Sequence, residues 1–467
     1  MLNKYIDSKK DEMIQKLKEL INIPSVYEKS DDQNMPFGKN ANSALEYILN
    51  LGDSLGFKTK NVDGYCGYIE FGKDSELVGI IGHLDVVPAN DNWTYSPFNA
   101  TIHDNKIYGR GSIDDKGPVI ASLYAMKAVM DNCQINKRVR LILGLDEERS
   151  WKCINYYKEH EEIPSIGFSP DADFPCIYAE KAILTTYLST EYKPNVESNI
   201  YIKEIDCNNN PDNVVPKICT ILLSITDNID MSQLISNLKD IISKYNFNIN
   251  YEIIDDNNLK IASHGKEAHS AHPDLGINAI SRLIVTINDL LKHYNNNIDL
   301  FEFFCKFINT QYDGKNLGIN YKDESGTLTL NVGNFFYNNN RITIGINMRI
   351  PINTTIDTIE NAYLDKLSSY INIRYEKKDS KKALYVDKNS YLVRTLCNIF
   401  NEMNNSNFEP IAIGGATYAR AFDNCISFGA NIPGQKDICH QSDEFITIDN
   451  LVFASKTYAK AIYELSK

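Results

Sequence analysis

Two histidines in this chain stand in settings that could bind a metal ion. His83 follows an apolar run and precedes Asp85 by two residues, whereas His440 lies in the polar segment 439–444. A metal-binding imidazole usually needs an acceptor for its other ring N–H, so Asp85 could orient His83. A histidine beside a capping aspartate in a tight turn is the structural alternative, and for this pair taken alone it is the favoured one.

Acidic residues form the second part of the pattern. Segment 109–118 has three glycines and the adjacent Asp114 and Asp115, and one carboxylate can bridge two cations. Alone, this segment reads as a glycine-rich turn with an aspartate capping the next helix. The acids at 146–148, and Asp171, follow other apolar runs. Clustered carboxylates raise one another's pKa unless a cation or water offsets their charge, and both readings stay open for each segment.

Taken together, these segments indicate a metal-binding site, which none of them indicates alone. Mixed imidazole and carboxylate ligands suit zinc, manganese or cobalt, and fit poorly with an iron–sulfur cluster or a soft copper site. Two such ions, roughly 3.5–4 Å apart, can hold a hydrolytic water and polarise a carbonyl group together.

The strands and helices that must position these residues can be predicted from the sequence. Short apolar runs at 77–81, 139–143 and 165–168 lead into His83, the acids at 146–148 and Asp171, which predicts buried strands with polar ends. A helix is predicted between the first two strands, over 116–130. Alternating strands and helices predict an α/β layer, where sites gather beyond the carboxyl ends of the strands.

The stretch 182–382 has a different pattern. It contains alternating segments at 327–332 and 341–349, joined by the turn-like 338–340, and a helix candidate at 231–245. This mixture predicts a separate α+β domain. Further helices are predicted over 13–21, ended by Pro24, and over 452–465.

Composition excludes some partners. The formal net charge is −13, which disfavours nucleic acid and anionic membranes because both attract clustered lysine and arginine. No apolar stretch resembles a signal peptide or is long enough to span a bilayer. The ten cysteines form no CxxC pair, and we expect reduced thiols and a cytoplasmic location.

Taken together, the motifs resemble the di-zinc aminoacylase and carboxypeptidase-G-like family of metallopeptidases, and within it the peptidase V dipeptidases. The resemblance covers nearly the whole chain. It is carried by GHLDVVP at 82–88, YGRGSIDDKGP at 108–118, LDEERSWKC at 145–153, GFSPDADFP at 167–175, NVVP at 213–216, HGKEAHSAHP at 264–273, NMRIP at 347–351, IGGATYAR at 413–420 and CHQSDE at 439–444.

The resemblance implies a site with two divalent ions, zinc foremost, with manganese or cobalt as alternatives. Asp114 would bridge the ions and Glu147 would be the general base. Asp85 would orient His83, and the peptide bond between Asp114 and Asp115 would be cis. The implied metal ligands are His83, Asp114, Glu148, Asp171 and His440.

The resemblance also implies an architecture. Residues 1–181 and 383–467 would form the catalytic domain, an α/β fold with a mixed central sheet flanked by helices. Residues 182–382 would form an inserted α+β lid. His269 would stabilise the oxyanion, and Arg349 would bind the substrate's terminal carboxylate. The other implied substrate-binding residues are Asn213, Gly414, Gly415 and Thr417.

These expectations favour a metallo-dipeptidase that acts on unblocked dipeptides. The enlarged lid implies a monomer, with a dimer as the alternative. Asp115 is a candidate partner for the substrate's amino group, unless its role is only structural. Arg149 and Ala416 depart from the family pattern, and Ala416 leaves the substrate specificity open. The rival functions are an N-acyl amino acid deacylase of the same superfamily and a non-catalytic peptide-binding protein.

Overall fold

A computed structural model describes residues 1–193, 199–226, 228–436 and 438–467. The chain divides into two compact units. The first comprises Met1–Ala179, Tyr385–Ile411 and Ala416–Lys467, and the second comprises Glu180–Leu384 and Ala412–Gly415. The catalytic and lid roles assigned to the sequence-based domains stay predictions.

The first unit is built on a mixed sheet. In spatial order its strands are Lys58–Val62, Cys66–Phe71, Arg138–Gly144, Leu77–His83, Ile166–Ser169, Cys425–Ser427, Ile177–Glu180 and Leu384–Tyr385, with Ile411–Ile413 beside Ile177–Glu180. The central strands Arg138–Gly144, Leu77–His83 and Ile166–Ser169 are parallel. Leu77–His83 is buried along its whole length, as expected of an apolar run that is covered on both faces of a sheet.

Helices cover this sheet. Lys116–Asn132 is buried over most of its length and packs against Ile448–Ser466, Lys10–Ile21 and the strand Leu77–His83. The predicted helices over 13–21, 116–130 and 452–465 are confirmed, although the first begins at Lys10 and the last at Ile448, earlier than predicted. The other helices of this unit are Leu2–Ser8, Lys39–Ser54, Lys152–His160, Tyr391–Asn404 and the 3-10 turn Tyr418–Ala421. The short strand Ala172–Asp173 pairs with Ala430–Asn431. Three further short strands form a small sheet, in which Lys106–Tyr108 lies between Thr101–His103 and Phe445–Thr447.

The second unit has two antiparallel four-stranded sheets and their helices. In spatial order, the strands of one sheet are Thr329–Asn338, Arg341–Ile350, Ala182–Glu191 and Ile373–Lys381. The strands of the other sheet are Ile200–Asp206, Ile218–Ile225, Asn258–His264 and Ile249–Asp255. Val214–Val215 pairs with Ala268–His269, and Lys322–Asp323 with Gly326–Thr327. The helices are Met231–Tyr245, Ala279–Lys292, Asp299–Phe307 and Ile356–Leu367, with 3-10 turns at Pro273–Leu275 and Lys315–Leu317. The predicted α/β and α+β fold is thus confirmed.

The predicted turn at 338–340 is a hairpin. Asn339 and Asn340 have φ values of 51° and 55°, and asparagine tolerates this left-handed region better than most residues. The preceding strand begins at Thr329 rather than at the predicted 327, because Gly326–Thr327 pairs instead with Lys322–Asp323.

The expectation of ten reduced cysteines is corrected at one pair. Cys207 and Cys219 are bonded as a disulfide, with their Cα atoms 4.3 Å apart. Asp206 lies opposite Thr220 in an antiparallel pair of strands, so the register brings the two cysteines face to face. The other eight cysteines all lie among the described residues, and none of them is part of a disulfide. Across the described ranges, no helix combines the length and the apolar character needed to cross a membrane.

Candidate metal centre

The predicted site residues of the first unit lie at one edge of its sheet. His83 ends its strand and is paired with Gly144, the last residue of the parallel strand beside it. Glu147 and Glu148 follow Gly144, and Asp171 follows the third parallel strand. Because the carboxyl ends of parallel strands share an edge, segments distant in sequence place their polar side chains together there.

Asp114 lies between the two histidines. Its Oδ1 atom is 3.0 Å from His83 Nε2, and its Oδ2 atom is 3.0 Å from His440 Nε2. His440 Nε2 is also 2.9 Å from Glu148 Oε1, and His83 Nε2 is 3.7 Å from Asp171 Oδ2. The five predicted ligands therefore form two groups that share Asp114. The Asp114–Asp115 peptide bond is cis, as the resemblance predicts.

The orientation of the His83 ring leaves its Nε2 atom for a ligand. Its Nδ1 atom lies 2.9 Å from the backbone oxygen of Asp85, to which an Nδ1–H can donate. Its backbone N–H donates to Asp115 Oδ2 over 3.1 Å. A neutral imidazole with the proton on Nδ1 presents an unshared electron pair at Nε2, as metal binding requires. Asp115 thus holds the backbone of His83, which agrees with the structural role that was the alternative to binding the substrate's amino group.

Carboxylates in this site are crowded and removed from water. Only 11% of the Asp114 side chain, 13% of Glu148 and 18% of Asp171 is exposed. Burial raises the pKa of Glu147 to about 8, and burial and the neighbouring carboxylates raise the pKa of Asp171 well above its usual value. Burial opposes ionisation of Asp114 too, but when His440 and His83 are protonated at Nε2 they donate hydrogen bonds to it and lower its pKa below the usual range. A bound cation would take the place of those protons.

This crowding fits divalent cations. Among the described residues, three sets of side chains each bring their donor atoms within 4.8 Å of one another: His83 with Asp114 and Asp171, His83 with Glu147 and Glu148, and Asp114 with Glu148 and His440. Imidazole nitrogens with carboxylate oxygens form a donor set that zinc, manganese and cobalt accept. A cation beside the carboxylates would remove the repulsion that now favours their protonation.

The Asp85 carboxylate makes contacts that the sequence did not predict. Its Oδ1 and Oδ2 atoms accept hydrogen bonds from the backbone N–H groups of Glu147 and Glu148, over 3.2 and 3.1 Å. His83 Nδ1 lies 3.5 Å from Asp85 Oδ1, farther than from the Asp85 backbone oxygen. The side chain of Asp85 thus holds the turn that carries the two glutamates.

Predicted substrate residues of the second unit also cluster. The backbone oxygen of Asn213 accepts a hydrogen bond from the Ser270 N–H over 2.8 Å, beside the exposed His269. The guanidinium of Arg349 is buried and donates to Ser270 Oγ over 2.9 Å and to the Gly414 carbonyl oxygen over 2.9 Å. It also donates to Asn347 Oδ1 over 3.0 Å.

The remaining substrate candidates differ in position. Gly414 and Gly415 cluster with the second unit and Thr417 with the first. Thr417 Oγ1 lies 2.7 Å from Ser427 Oγ and accepts a hydrogen bond from the Ala419 N–H.

Four residues of these hydrogen-bond networks were not predicted from the sequence as part of the site. Ser270 and Asn347 contact Arg349, while Arg110 and Glu444 contact the segments that carry Asp114 and His440. All four lie inside motifs that carry the family resemblance, and their position in these motifs is the feature of the sequence that could have indicated a role in the site.

Comparison with known proteins identifies the family. Residues 79–464 match peptidase family M20/M25/M40. A Bacillus subtilis protein named "Putative dipeptidase YtjP" is 36% identical over 98% of both chains, and a Staphylococcus epidermidis protein named "Putative dipeptidase" is 34% identical over 97% of both. The chain belongs to peptidase family M20/M25/M40. It is therefore a metal-dependent peptidase by family, which confirms the predicted resemblance.

Solved structures share the fold. Human carnosine dipeptidase 1 superposes with a TM-score of 0.59 at 14% identity, covering 99% of this chain and 98% of that one. The dipeptidase Dug1p of Saccharomyces cerevisiae gives 0.55 at 15% identity, covering 99% and 98%. At these identities the likeness concerns the fold alone.

The contacts of Asp85 generate a prediction for this M20 peptidase. In Asp85→Asn an amide NH2 group would face one of the two backbone N–H groups, so the turn with Glu147 and Glu148 would lose an acceptor. We expect zinc affinity, measured by competition calorimetry, to fall by about 10–100-fold. Asp91→Asn, an exposed change in the following loop, is the matched control. Equal affinities in both variants would show that the Asp85 oxygens do not hold the turn.

Proposed function

We propose that this M20 peptidase is a two-metal dipeptidase that cleaves the peptide bond of unblocked dipeptides. The observation that carries the proposal is the position of Asp114, whose two oxygens each lie 3.0 Å from a different histidine. The printed names of the bacterial relatives support the substrate class. Zinc as the native metal, a monomeric state and a cytoplasmic location belong to the same proposal.

His83 and Asp171 would hold one ion, Glu148 and His440 the other, and Asp114 would contact both. When bound, two divalent ions supply Lewis acidity, which activates water and polarises an amide carbonyl at neutral pH. The distances within the cluster, and the sharing of Asp114 by its two halves, support this division of ligands.

Glu147 would act as the general base and acid. Its carboxylate would accept a proton from the attacking water and then donate it to the leaving amine. The side chain lies in the cluster with His83 and Glu148, and its backbone N–H is held by Asp85. These contacts would keep the carboxylate in place while the proton moves.

His269 would donate a hydrogen bond to the developing oxyanion. Its Nδ1 atom accepts a hydrogen bond from the Ala271 N–H over 3.3 Å. A neutral ring that accepts at Nδ1 carries its proton on Nε2. In this tautomer the Nε2–H group is a donor of the kind that oxyanion stabilisation requires, and the His269 side chain is exposed.

Arg349 would bind the terminal carboxylate of the dipeptide. The three oxygens named above accept hydrogen bonds from the guanidinium and hold it in a fixed orientation. Arginine is suited to this task because its planar fork can bind both oxygens of a carboxylate.

A panel of substrates tests the proposal. We expect the metal-stripped protein to hydrolyse unblocked dipeptides only after zinc, manganese or cobalt is added back, since the donor set accepts all three. N-acetyl and N-succinyl amino acids and a tripeptide serve as comparisons, with free amino acids quantified by chromatography. Cleavage of the acylated substrates alone would indicate a deacylase, and binding without turnover would indicate a peptide-binding protein.

The role of Glu147 has its own test. Glu147→Ala removes the proton acceptor and leaves the five ligands intact, so we expect unchanged metal content by plasma mass spectrometry and a turnover lower by about 10²–10⁴-fold. Glu159→Ala, which changes an exposed glutamate of the same unit, should retain full turnover. Near-normal turnover of the Glu147 variant would reject the assignment.

A further inference from the structure

Arg110 and Glu444 form a buried ion pair next to the metal centre. Arg110 is 1% exposed and Glu444 is 0% exposed. Arg110 Nη1 lies 2.5 Å from Glu444 Oε2. Removing two charges from water costs free energy, and a buried pair is therefore weak evidence for stability by itself. The other contacts of the pair indicate what it does.

The pair joins the two segments that carry Asp114 and His440. Glu444 Oε1 accepts hydrogen bonds from the N–H groups of Ile113, over 3.1 Å, and Asp114, over 3.4 Å. Arg110 Nη2 donates to the carbonyl oxygen of His440 over 3.2 Å, and Nη1 donates to that of Gln441 over 3.4 Å. Each member of the pair thus fixes the backbone at or beside one metal ligand.

The other proposed ion depends on different supports. His83 is held by Asp115 and by the backbone oxygen of Asp85. Asp171 precedes the short strand Ala172–Asp173, which is paired with Ala430–Asn431. His440, by contrast, lies in a loop with a left-handed φ of 64°, and 52% of its side chain is exposed. The loop therefore relies on contacts such as those of Arg110.

We infer that Arg110 and Glu444 are positioning residues for one of the two ions, the one assigned to Asp114, Glu148 and His440. The inference rests on the proposed two-metal function. The pair holds Asp114, which both ions share, and His440, which only this ion uses, whereas it holds neither His83 nor Asp171. Breaking the pair should therefore weaken the binding of this ion more than the binding of the ion at His83 and Asp171.

The chain contains a matched control pair. Arg140 and Glu70 are 4% and 8% exposed. Arg140 Nη2 lies 2.6 Å from Glu70 Oε2, within the same sheet. The contacts of Arg140 lead to Tyr157 and Glu161 rather than to a proposed metal ligand.

The experiment compares two double variants. Arg110→Met/Glu444→Gln removes both charges together, which avoids an unpaired buried charge, and Arg140→Met/Glu70→Gln does the same at the control pair. Zinc titration calorimetry and metal content would be measured for each, with circular dichroism of the metal-free protein to show folding. We expect one of two zinc sites to weaken by about 10–100-fold in the first variant and neither site to weaken in the second.

A milder variant tests the inference if the double variant at Arg110 and Glu444 does not fold. Arg110→Lys keeps the charge facing Glu444 but lacks the planar fork that reaches two carbonyl oxygens. It should weaken the same single site. Equal weakening of both sites, or of neither, in the folded variant would overturn the inference. A wild-type chain that binds only one ion would instead overturn the two-metal proposal, and the inference with it.

Discussion

The structure of the first unit is organised around carboxylates that lie close together and away from water. Asp114, Glu147, Glu148 and Asp171 meet at one edge of the sheet, with two histidines among them. Burial and mutual repulsion raise the pKa of Glu147 and Asp171, whereas the two histidines lower that of Asp114. Such a cluster is favourable only when positive charge offsets it, and divalent cations supply that charge most compactly.

Several elements and contacts around this cluster hold it in place. The parallel strands deliver His83, the two glutamates and Asp171 from segments far apart in sequence. Asp115 binds the backbone of His83, and Asp85 binds the turn of the glutamates. The Arg110–Glu444 pair does the same for Asp114 and His440. Buried polar groups of this kind constrain geometry when their hydrogen bonds are made.

Much of this arrangement could be predicted from the sequence. Apolar runs ending in polar residues predicted the strands Leu77–His83 and Arg138–Gly144, because buried parallel strands have that pattern. The motifs supplied the family and the candidate ligands. The carboxylate contacts of Asp85 and Glu444, and the pairing of Cys207 with Cys219, could not be predicted. They depend on turn geometry and strand register, which bring residues together irrespective of local pattern.

The most direct test of the central claim is anomalous diffraction from crystals grown with zinc, recorded on both sides of the zinc absorption edge. The account predicts two peaks roughly 3.5–4 Å apart. One peak would lie at bonding distance from His83 and Asp171, the other from Glu148 and His440, and both from Asp114. A single peak, or two peaks that do not share Asp114, would contradict the two-metal centre.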